Sequence, residues 1–150
     1  MKKMKKGQIS HEEREKFEYF IFEMDDVLEK FISDAKKEGM NLDYSLSSLD
    51  QLELIILRNL DTETNIEVLK NRAARYIGEV VRKNLGGNWE LCDKDPRYLY
   101  FKLPVISGYS DIDIEFCPIE IIRNYMRSKK MGMLKKNVEA DMEYKKEPKC

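Results

Sequence analysis

The sequence predicts an α+β fold with three N-terminal helices, a three-stranded antiparallel sheet and a C-terminal helix. Up to residue 85, apolar residues recur at three- and four-residue steps, which is typical of amphipathic helices. After Gly86-Gly87 the spacing changes to the alternation of half-buried strands, and the short links between these segments favour antiparallel pairing. With 150 residues, 42% of them hydrophobic, the chain is long enough for one domain with its own core.

The first helix is expected to begin at Ser10, because Ser10 and Glu13 have the spacing of a capping box. One apolar stripe then continues toward Gly39, a residue suited to follow a helix: Phe17, Phe20, Ile21, Met24, Leu28, Phe31, Ile32 and Ala35. Tyr19 and Phe22 lie off this stripe, where their rings could help to form a contact surface.

The second helix is expected to be capped by Ser47 or Ser48, with Asp50 or Gln51 completing a capping box. It is rich in apolar residues up to Leu60, so we expect it to lie between other elements.

Thr64 and Glu67 are expected to open the third helix, which Gly86-Gly87 ends. Gly78 lies inside this helix, where glycine costs about 1 kcal/mol relative to alanine. We therefore expect another backbone to pass close to Gly78.

Three segments are predicted to form the strands of the sheet: residues 88–92, 98–103 and 111–116. Pro104 is expected to end the second strand or to mark an exposed edge. In the third segment Asp111, Asp113 and Glu115 alternate with apolar residues, which would place three carboxylates on one face. Pro118 suits the first turn of the last helix.

These elements divide the chain into a basic leader (residues 1–9, expected to be disordered), a single domain (10–128) and a Lys-rich tail (129–150). The tail is expected to be partly helical or disordered. Residues 7–126 carry 15 basic and 24 acidic residues, although the net charge of the whole chain is −1. An acidic body disfavours nucleic acid and anionic membranes, and favours a basic protein partner.

The residues that follow the basic start and the number of cysteines indicate where in the cell we expect the protein. No apolar run approaches the ~20 residues that cross a bilayer, and polar residues follow the basic start where a signal peptide needs an apolar stretch. Cys92, Cys117 and Cys150 are odd in number and have no metal-ligand spacing. We expect a reduced, cytoplasmic protein with no disulfide framework, no metal and no cofactor.

The residue types needed for catalysis are sparse. His11 is the only histidine and lies among glutamates at a helix start, so we expect a solvated residue rather than a general base. Gly86-Gly87 follows a helix, whereas phosphate-binding loops precede one. No specific nucleic-acid site is predicted, because the basic residues of the third helix are expected mostly on its solvent side: Lys70, Arg72, Arg75, Arg82 and Lys83.

The one enzymatic function that the sequence offers as an alternative would use Asp111 and Asp113. The stretch from Ser110 to Ile114 resembles the aspartate strand of the nucleotidyltransferase superfamily, in which two carboxylates on one strand face hold magnesium at a nucleoside triphosphate. The Gly-Ser pair that this family places shortly before the aspartates is missing here. The resemblance implies a Mg²⁺-dependent nucleotidyl- or phosphoryl-transfer enzyme as the alternative function.

Two other stretches are similar to parts of a known group of proteins. Residues 42–45 and 48–52 form the entry to the second helix, and residues 73–89 join a long helix, through Gly86-Gly87, to a strand containing Trp89. Together they resemble small bacterial α+β proteins, many of which look like immunity proteins of polymorphic-toxin or contact-dependent inhibition systems. The resemblance implies a non-catalytic protein that neutralises a cognate toxin by tight contact.

The toxins that such proteins neutralise include nucleases, which are basic because they bind a polyanion. An acidic domain can block a nuclease by covering its phosphate-binding surface. The residues expected to bind this partner combine an aromatic ring with carboxylates at one turn and strand: Tyr109, Asp111, Asp113 and Glu115.

Overall fold

The computed structural model describes residues 7–62 and 65–146, and over these residues it contains six helices and one three-stranded antiparallel sheet. The helices are α1 (His11–Phe22), α2 (Met24–Lys37), α3 (Ser48–Leu60), α4 (Ile66–Leu85), α5 (Pro118–Ser128) and α6 (Met133–Met142). The strands are β1 (Asn88–Leu91), β2 (Pro104–Ser107) and β3 (Glu115–Phe116). The α+β class and the antiparallel sheet are confirmed, whereas two more helices are present than predicted.

The central element is α4, a helix of 20 residues that packs against α2, α3, α5 and β2. Its Tyr76, Ile77 and Val80 are fully buried in the core. The Asn65 side chain caps this helix by accepting a hydrogen bond from the Val68 N–H at 3.3 Å. Thr64, the predicted start, lies outside the described residues.

The predicted first helix is interrupted at Glu23 and forms α1 and α2. The capping box of Ser10 and Glu13 is present at its start. Near the interruption, Arg75 Nη1 on α4 donates to the Phe20 carbonyl oxygen at 2.6 Å. In a continuous helix this oxygen accepts from the Met24 N–H. The interruption follows from a side chain that enters the helical hydrogen-bond ladder.

At two glycines, another part of the chain lies so close that a side chain would not fit: Gly78 in α4 and Gly87 beside β2. A Cβ at Gly78 would collide with the Trp89 ring, so a side chain passes there rather than the backbone that we predicted. Gly87 has φ +86°, and a Cβ at this position would collide with the Ser107 carbonyl oxygen of β2. Gly86, with φ +95°, caps the end of α4, and Gly87 lets the first strand pair closely with the second.

The predicted cap of α3 is wrong in detail. Ser47 precedes the helix, but its side chain makes no capping hydrogen bond. Gln51 accepts from the Asn41 N–H instead of completing a capping box. The helix is nevertheless where the apolar pattern placed it, because Leu49 and Leu52 are fully buried.

The sheet has the order β1-β2-β3, but its second and third strands differ from the prediction. Residues 98–103 form turns, and Lys102 has φ +68°, which takes the chain out of an extended conformation. Pro104 begins the central strand, a first position that tolerates the missing N–H of proline. Residues 111–114 are bent, because Ile112 N–H donates to Ser110 Oγ and Ile114 N–H donates to the Ile112 carbonyl oxygen.

The core extends beyond the domain limit predicted at residue 128. Pro118 begins α5 as predicted. In the Lys-rich segment that follows, Leu134 and Val138 of α6 are fully buried against α3 and α5.

Of the predicted leader, residues 1–6 lie outside the described part of the chain, and Gly7 N–H donates to the Asp93 carbonyl oxygen at 2.9 Å. No helix among the described residues has the length and apolar character needed to span a membrane.

Candidate protein-binding surface

Tyr109, one of the four predicted partner-binding residues, lies inside the protein. Its side chain is 1% exposed, and its hydroxyl donates to Asp141 Oδ2 of α6 at 2.7 Å. Tyr109 is therefore unavailable to a partner at the surface. The sequence analysis missed this burial because it left the segment that contains α6 outside the domain.

Glu115 and Asp113 share one cation. Lys94 Nζ lies 2.6 Å from Glu115 Oε2 and 3.1 Å from Asp113 Oδ1. The Glu115 side chain is almost fully buried, whereas that of Asp113 is 89% exposed. Burial lowers the pKa of Lys94, but its hydrogen bonds to Glu115 and Asp113 outweigh burial and raise the pKa overall. Only Asp111 and Asp113 of the predicted set offer their carboxylates to solvent.

The geometric basis of the magnesium-site alternative is not present. Asp111 and Asp113 lie in the bent segment before β3, so they do not share the face of a strand. Over residues 7–62 and 65–146, no three His, Cys, Asp or Glu side chains are grouped so as to hold a metal ion. The alternative function itself stays a prediction.

Cys92 directly follows β1 and Cys117 directly follows β3, whereas Cys150 lies outside the described residues. Cys92 and Cys117 are buried free thiols. Burial raises the pKa of Cys92, and burial raises the pKa of Cys117 to about 12. Both thiols therefore stay protonated at neutral pH and pack as small apolar groups. His11 is exposed, with Nε2 2.9 Å from Glu15 Oε1.

The strongest concentration of negative charge lies on α1 and the start of α2. Residues 11–29 carry eight carboxylates and two basic residues. Two aromatic rings are exposed on the same segment, Tyr19 at 61% and Phe22 at 79%. The two rings stack on each other, with centroids 6.2 Å apart and an interplanar angle of 29°. This segment combines the two kinds of group that the sequence analysis sought at Tyr109.

Glu18, Asp25 and Asp26 are three or four residues from Phe22 in the chain, and residues at this spacing are neighbours on a helix. Hydrogen bonds from the Glu23 N–H to the Tyr19 carbonyl oxygen, and from the Val27 N–H to the Glu23 carbonyl oxygen, keep helical spacing across the interruption. We call the resulting patch the acidic–aromatic surface; it consists of Glu18, Tyr19, Phe22, Asp25 and Asp26. Its three carboxylates are exposed and form no ion pair within the described residues.

A groove of about 560 Å³ borders the acidic–aromatic surface, between α1–α2 and the elements α4 and β1. Glu18 and Asp25 line it on one side and Trp89 on the other. Glu79 Oε2 accepts from Trp89 Nε1 at 3.2 Å and from Arg82 Nε at 2.6 Å, which fixes the indole ring. The groove therefore presents an oriented aromatic ring beside two carboxylates that form no ion pair with any described residue, although Arg82 also lines it and interacts electrostatically with Asp25.

Helix α1 has no fully buried residue and is held largely through Phe20. The Phe20 ring meets Trp89 edge-on at 5.2 Å, and the Arg75 guanidinium lies 4.0 Å from its centroid. Arg75 also lies 3.8 Å from Glu23. Burial lowers the pKa of Arg75, although the Glu23 charge acts in the opposite direction.

Arg75 is only 3% exposed, which corrects the prediction that it faces solvent. Its place between Ala73-Ala74 and Tyr76-Ile77, inside an apolar run, was the sequence signal that could have revealed it. A basic residue in such a run is buried only when it finds partners elsewhere in the fold.

Comparison with known proteins gave no match among family models, curated proteins or solved structures. The resemblance to immunity proteins therefore stays a prediction. The acidic–aromatic surface is defined by the geometry of this chain alone.

Proposed function

We propose that this chain is a non-catalytic binding protein, an immunity protein that neutralises a cognate basic toxin by covering it with the acidic–aromatic surface. The observation that carries the proposal is the exposed, stacked pair of Tyr19 and Phe22 beside exposed carboxylates that form no ion pair within the described residues. We further propose that it acts in the cytoplasm, in keeping with the free thiols of Cys92 and Cys117.

The two rings supply the contacts that slow dissociation. Aromatic side chains dominate the energy of protein interfaces because they bury a large area with little loss of conformational freedom. Tyr19 and Phe22 already stack on each other, so binding a partner would order few additional rotamers. Their exposure leaves most of this apolar area to be buried by the partner.

The carboxylates supply steering and charge complementarity. Glu18, Asp25 and Asp26 can pair with lysine or arginine of a partner without first breaking an ion pair of their own. Such charges accelerate association chiefly at low ionic strength, because salt screens them over a Debye length of about 8 Å at physiological concentrations. Asp111 and Asp113 add to the same acidic exterior.

The surface is also built before a partner arrives. The capping box of Ser10 and Glu13 fixes the start of α1, and Arg75 fixes its last turn. A preorganised surface keeps more of its contact energy as affinity than one that must order on binding.

The test is co-expression of this chain with the product of the adjacent upstream reading frame, followed by growth rescue and pull-down. We expect the wild-type chain to bind that product and to restore growth. A Tyr19→Ala/Phe22→Ala variant and a Glu18→Lys/Asp25→Lys variant should lose both activities. Matched controls are Tyr144→Ala, which removes another exposed ring, and Glu139→Lys/Glu143→Lys, which reverses exposed charges on and just after α6.

Two outcomes would contradict the proposal. A folded wild-type chain that neither binds nor rescues would remove the immunity function. Rescue by both surface variants at the wild-type level would show that the acidic–aromatic surface is not the binding surface.

A further inference from the structure

A second groove lies on a different part of the molecule, between α3 and the beginning of α6. Its volume is about 680 Å³. Leu54 and Leu57 of α3 line one side and are 48% and 36% exposed. Met131 lines it from the connection between α5 and α6 and is 93% exposed, while Tyr125 beneath is fully buried. The groove therefore offers apolar side chains that no described residue covers.

One end of this groove is basic, in contrast to the acidic–aromatic surface. Residues 127–137 carry five basic residues and no acidic residue. Three of these lysines line the groove: Lys129, Lys135 and Lys136. They form no ion pair within residues 7–62 and 65–146. Asp50, Glu53 and Glu139 also line the groove, so the three lysines do not outnumber the carboxylates of the whole lining. The positive charge is concentrated at one end, where residues 127–137 contain no carboxylate.

A buried carboxylate holds the groove in shape. Glu53, 4% exposed, accepts hydrogen bonds from the Gly132 N–H at 2.9 Å and the Leu134 N–H at 3.1 Å. These N–H groups belong to the first turn of α6, where a helix has unpaired donors and a partial positive charge. Glu53 thus fixes the start of α6 against α3, so the two walls keep their spacing without a partner.

We propose that this groove, between α3 and α6, is a second binding surface that takes an acidic amphipathic helix of another protein. Apolar side chains on one face of that helix would contact Leu54, Leu57 and Met131. Its flanking glutamates or aspartates would pair with Lys129, Lys135 and Lys136. The groove is concave between two helices, which suits a cylindrical ligand better than the flat surface of an anionic membrane.

The second surface is independent of the proposed function. A basic toxin is attracted by the acidic–aromatic surface, whereas the lysines at the basic end of this groove favour an acidic ligand there, so the two sites favour different partners. Because the sites lie on different helices, each can be altered while the other is kept intact.

The test uses the full chain and a synthetic helical peptide of leucine and glutamate, with leucines at three- and four-residue steps. The same peptide with lysine in place of glutamate, and a scrambled peptide of the same composition, are the controls. We expect saturable binding of the acidic peptide alone. Amide NMR shifts of the wild-type chain should change around Leu54, Leu57 and Met131.

Two groove variants test the residues, Leu57→Asp/Met131→Asp and Lys135→Glu/Lys136→Glu. Each should weaken peptide binding at least about tenfold. Leu99→Asp, which alters another exposed leucine, and Lys36→Glu/Lys37→Glu, which reverses exposed charge on α2, should bind as the wild type does.

Four outcomes would overturn the proposal. They are no saturable binding, equal binding of the scrambled peptide, shift changes away from the groove, and groove-dependent binding of phosphatidylserine vesicles without peptide binding. A fifth is self-association that the groove variants abolish, because it would assign the groove to a second copy of this chain. The NMR shifts are measured on the wild-type protein, so a variant that fails to fold does not prevent a decision.

Discussion

The acidic–aromatic surface and the groove between α3 and α6 differ in charge but are anchored in the same physical way. Arg75 binds the carbonyl of Phe20 near the C-terminal end of the acidic α1, and Glu53 binds N–H groups at the N-terminal end of α6. Each buried charge matches the partial charge of the helix end that it contacts. The comparison shows how buried side chains of core helices fix two surface helices, the acidic α1 and α6, in which two lysines and two carboxylates balance.

The two surface helices differ in how deeply they pack. Helix α1 contributes no fully buried residue, although it begins the clearest apolar stripe of the sequence. Helix α6 lies in a Lys-rich segment with weak periodicity, yet Leu134 and Val138 are fully buried. The regularity of the apolar spacing in the sequence therefore did not determine how many residues of each helix are buried in the core.

The largest expected effect is the loss of a buried side chain from α6. Leu134→Ala should lower the free energy of unfolding by about 2–5 kcal/mol, because it removes apolar contacts and leaves a cavity. Urea unfolding followed by circular dichroism measures this change. Met131→Ala, at a largely exposed position, should stay within about 0.5 kcal/mol of the wild type. Equal stability of the two variants would mean that α6 is not part of the core.

The next effect concerns the anchor of α1. Arg75→Met should destabilise α1 by about 1–3 kcal/mol, because it removes the donor to the Phe20 carbonyl and leaves that oxygen without this partner. Amide hydrogen exchange should accelerate in α1 while exchange in α6 stays unchanged. A uniform change in both helices would show that Arg75 supports the whole fold rather than α1.

The matching change at the other surface is Glu53→Gln. The amide keeps the shape of the carboxylate, but it loses the negative charge at the helix N-terminus and one of the two acceptor oxygens. We expect a loss of about 1 kcal/mol, with faster exchange of the Gly132 and Leu134 amides. Unchanged exchange at these amides, with α1 as the internal control, would contradict the role of Glu53.

The smallest expected effect depends on pH and concerns the contact of α6 with Tyr109. Burial raises the pKa of Asp141 above 3.8, although the Tyr109 hydrogen bond partly opposes this shift. The stability that Asp141 contributes is thus fully present below 3.8, the ordinary value, and is lost as the pH rises through its folded pKa.

Tyr109→Phe removes the donor to the carboxylate and should raise the pKa of Asp141 further. Its cost, about 0.5–1.5 kcal/mol at pH 7, should shrink as the pH falls and Asp141 becomes protonated. The free energy of unfolding of the wild type and the variant, measured from pH 7 down to the acidic pH at which Asp141 is protonated, gives this cost at each pH. Asp141→Asn is the control that should remove the pH dependence. A cost that is constant with pH would contradict the assigned pairing.

Local signals predicted the elements that depend on neighbouring residues. The capping box of Ser10 and Glu13, Pro118 at the start of α5 and the positive φ of Gly86 and Gly87 were all available from short stretches. These features act within one turn of chain, so the residues that cause them stand together in the sequence.

The features that were mispredicted depend on partners far away in the chain. The interruption of the first helix requires Arg75, 55 residues beyond Phe20, and the start of α6 requires Glu53, 79 residues before Gly132. The burial of Tyr109 follows from the same docking of α6, through Asp141. The sequence favoured Asp111, Asp113 and Glu115 over the acidic–aromatic surface because their alternation predicts a strand, whereas the structure is bent before β3.

By itself, the sequence determined the α+β class, the change from helices to strands after Gly86-Gly87, and the acidic body between two basic ends. Periodicity, capping and composition are properties of neighbouring residues, so they can be read without the tertiary structure. Only the tertiary structure decided which apolar and charged residues remain on the surface. A side chain is covered by elements that are distant in the sequence, and the spacing of residues along the chain does not specify which elements pack together.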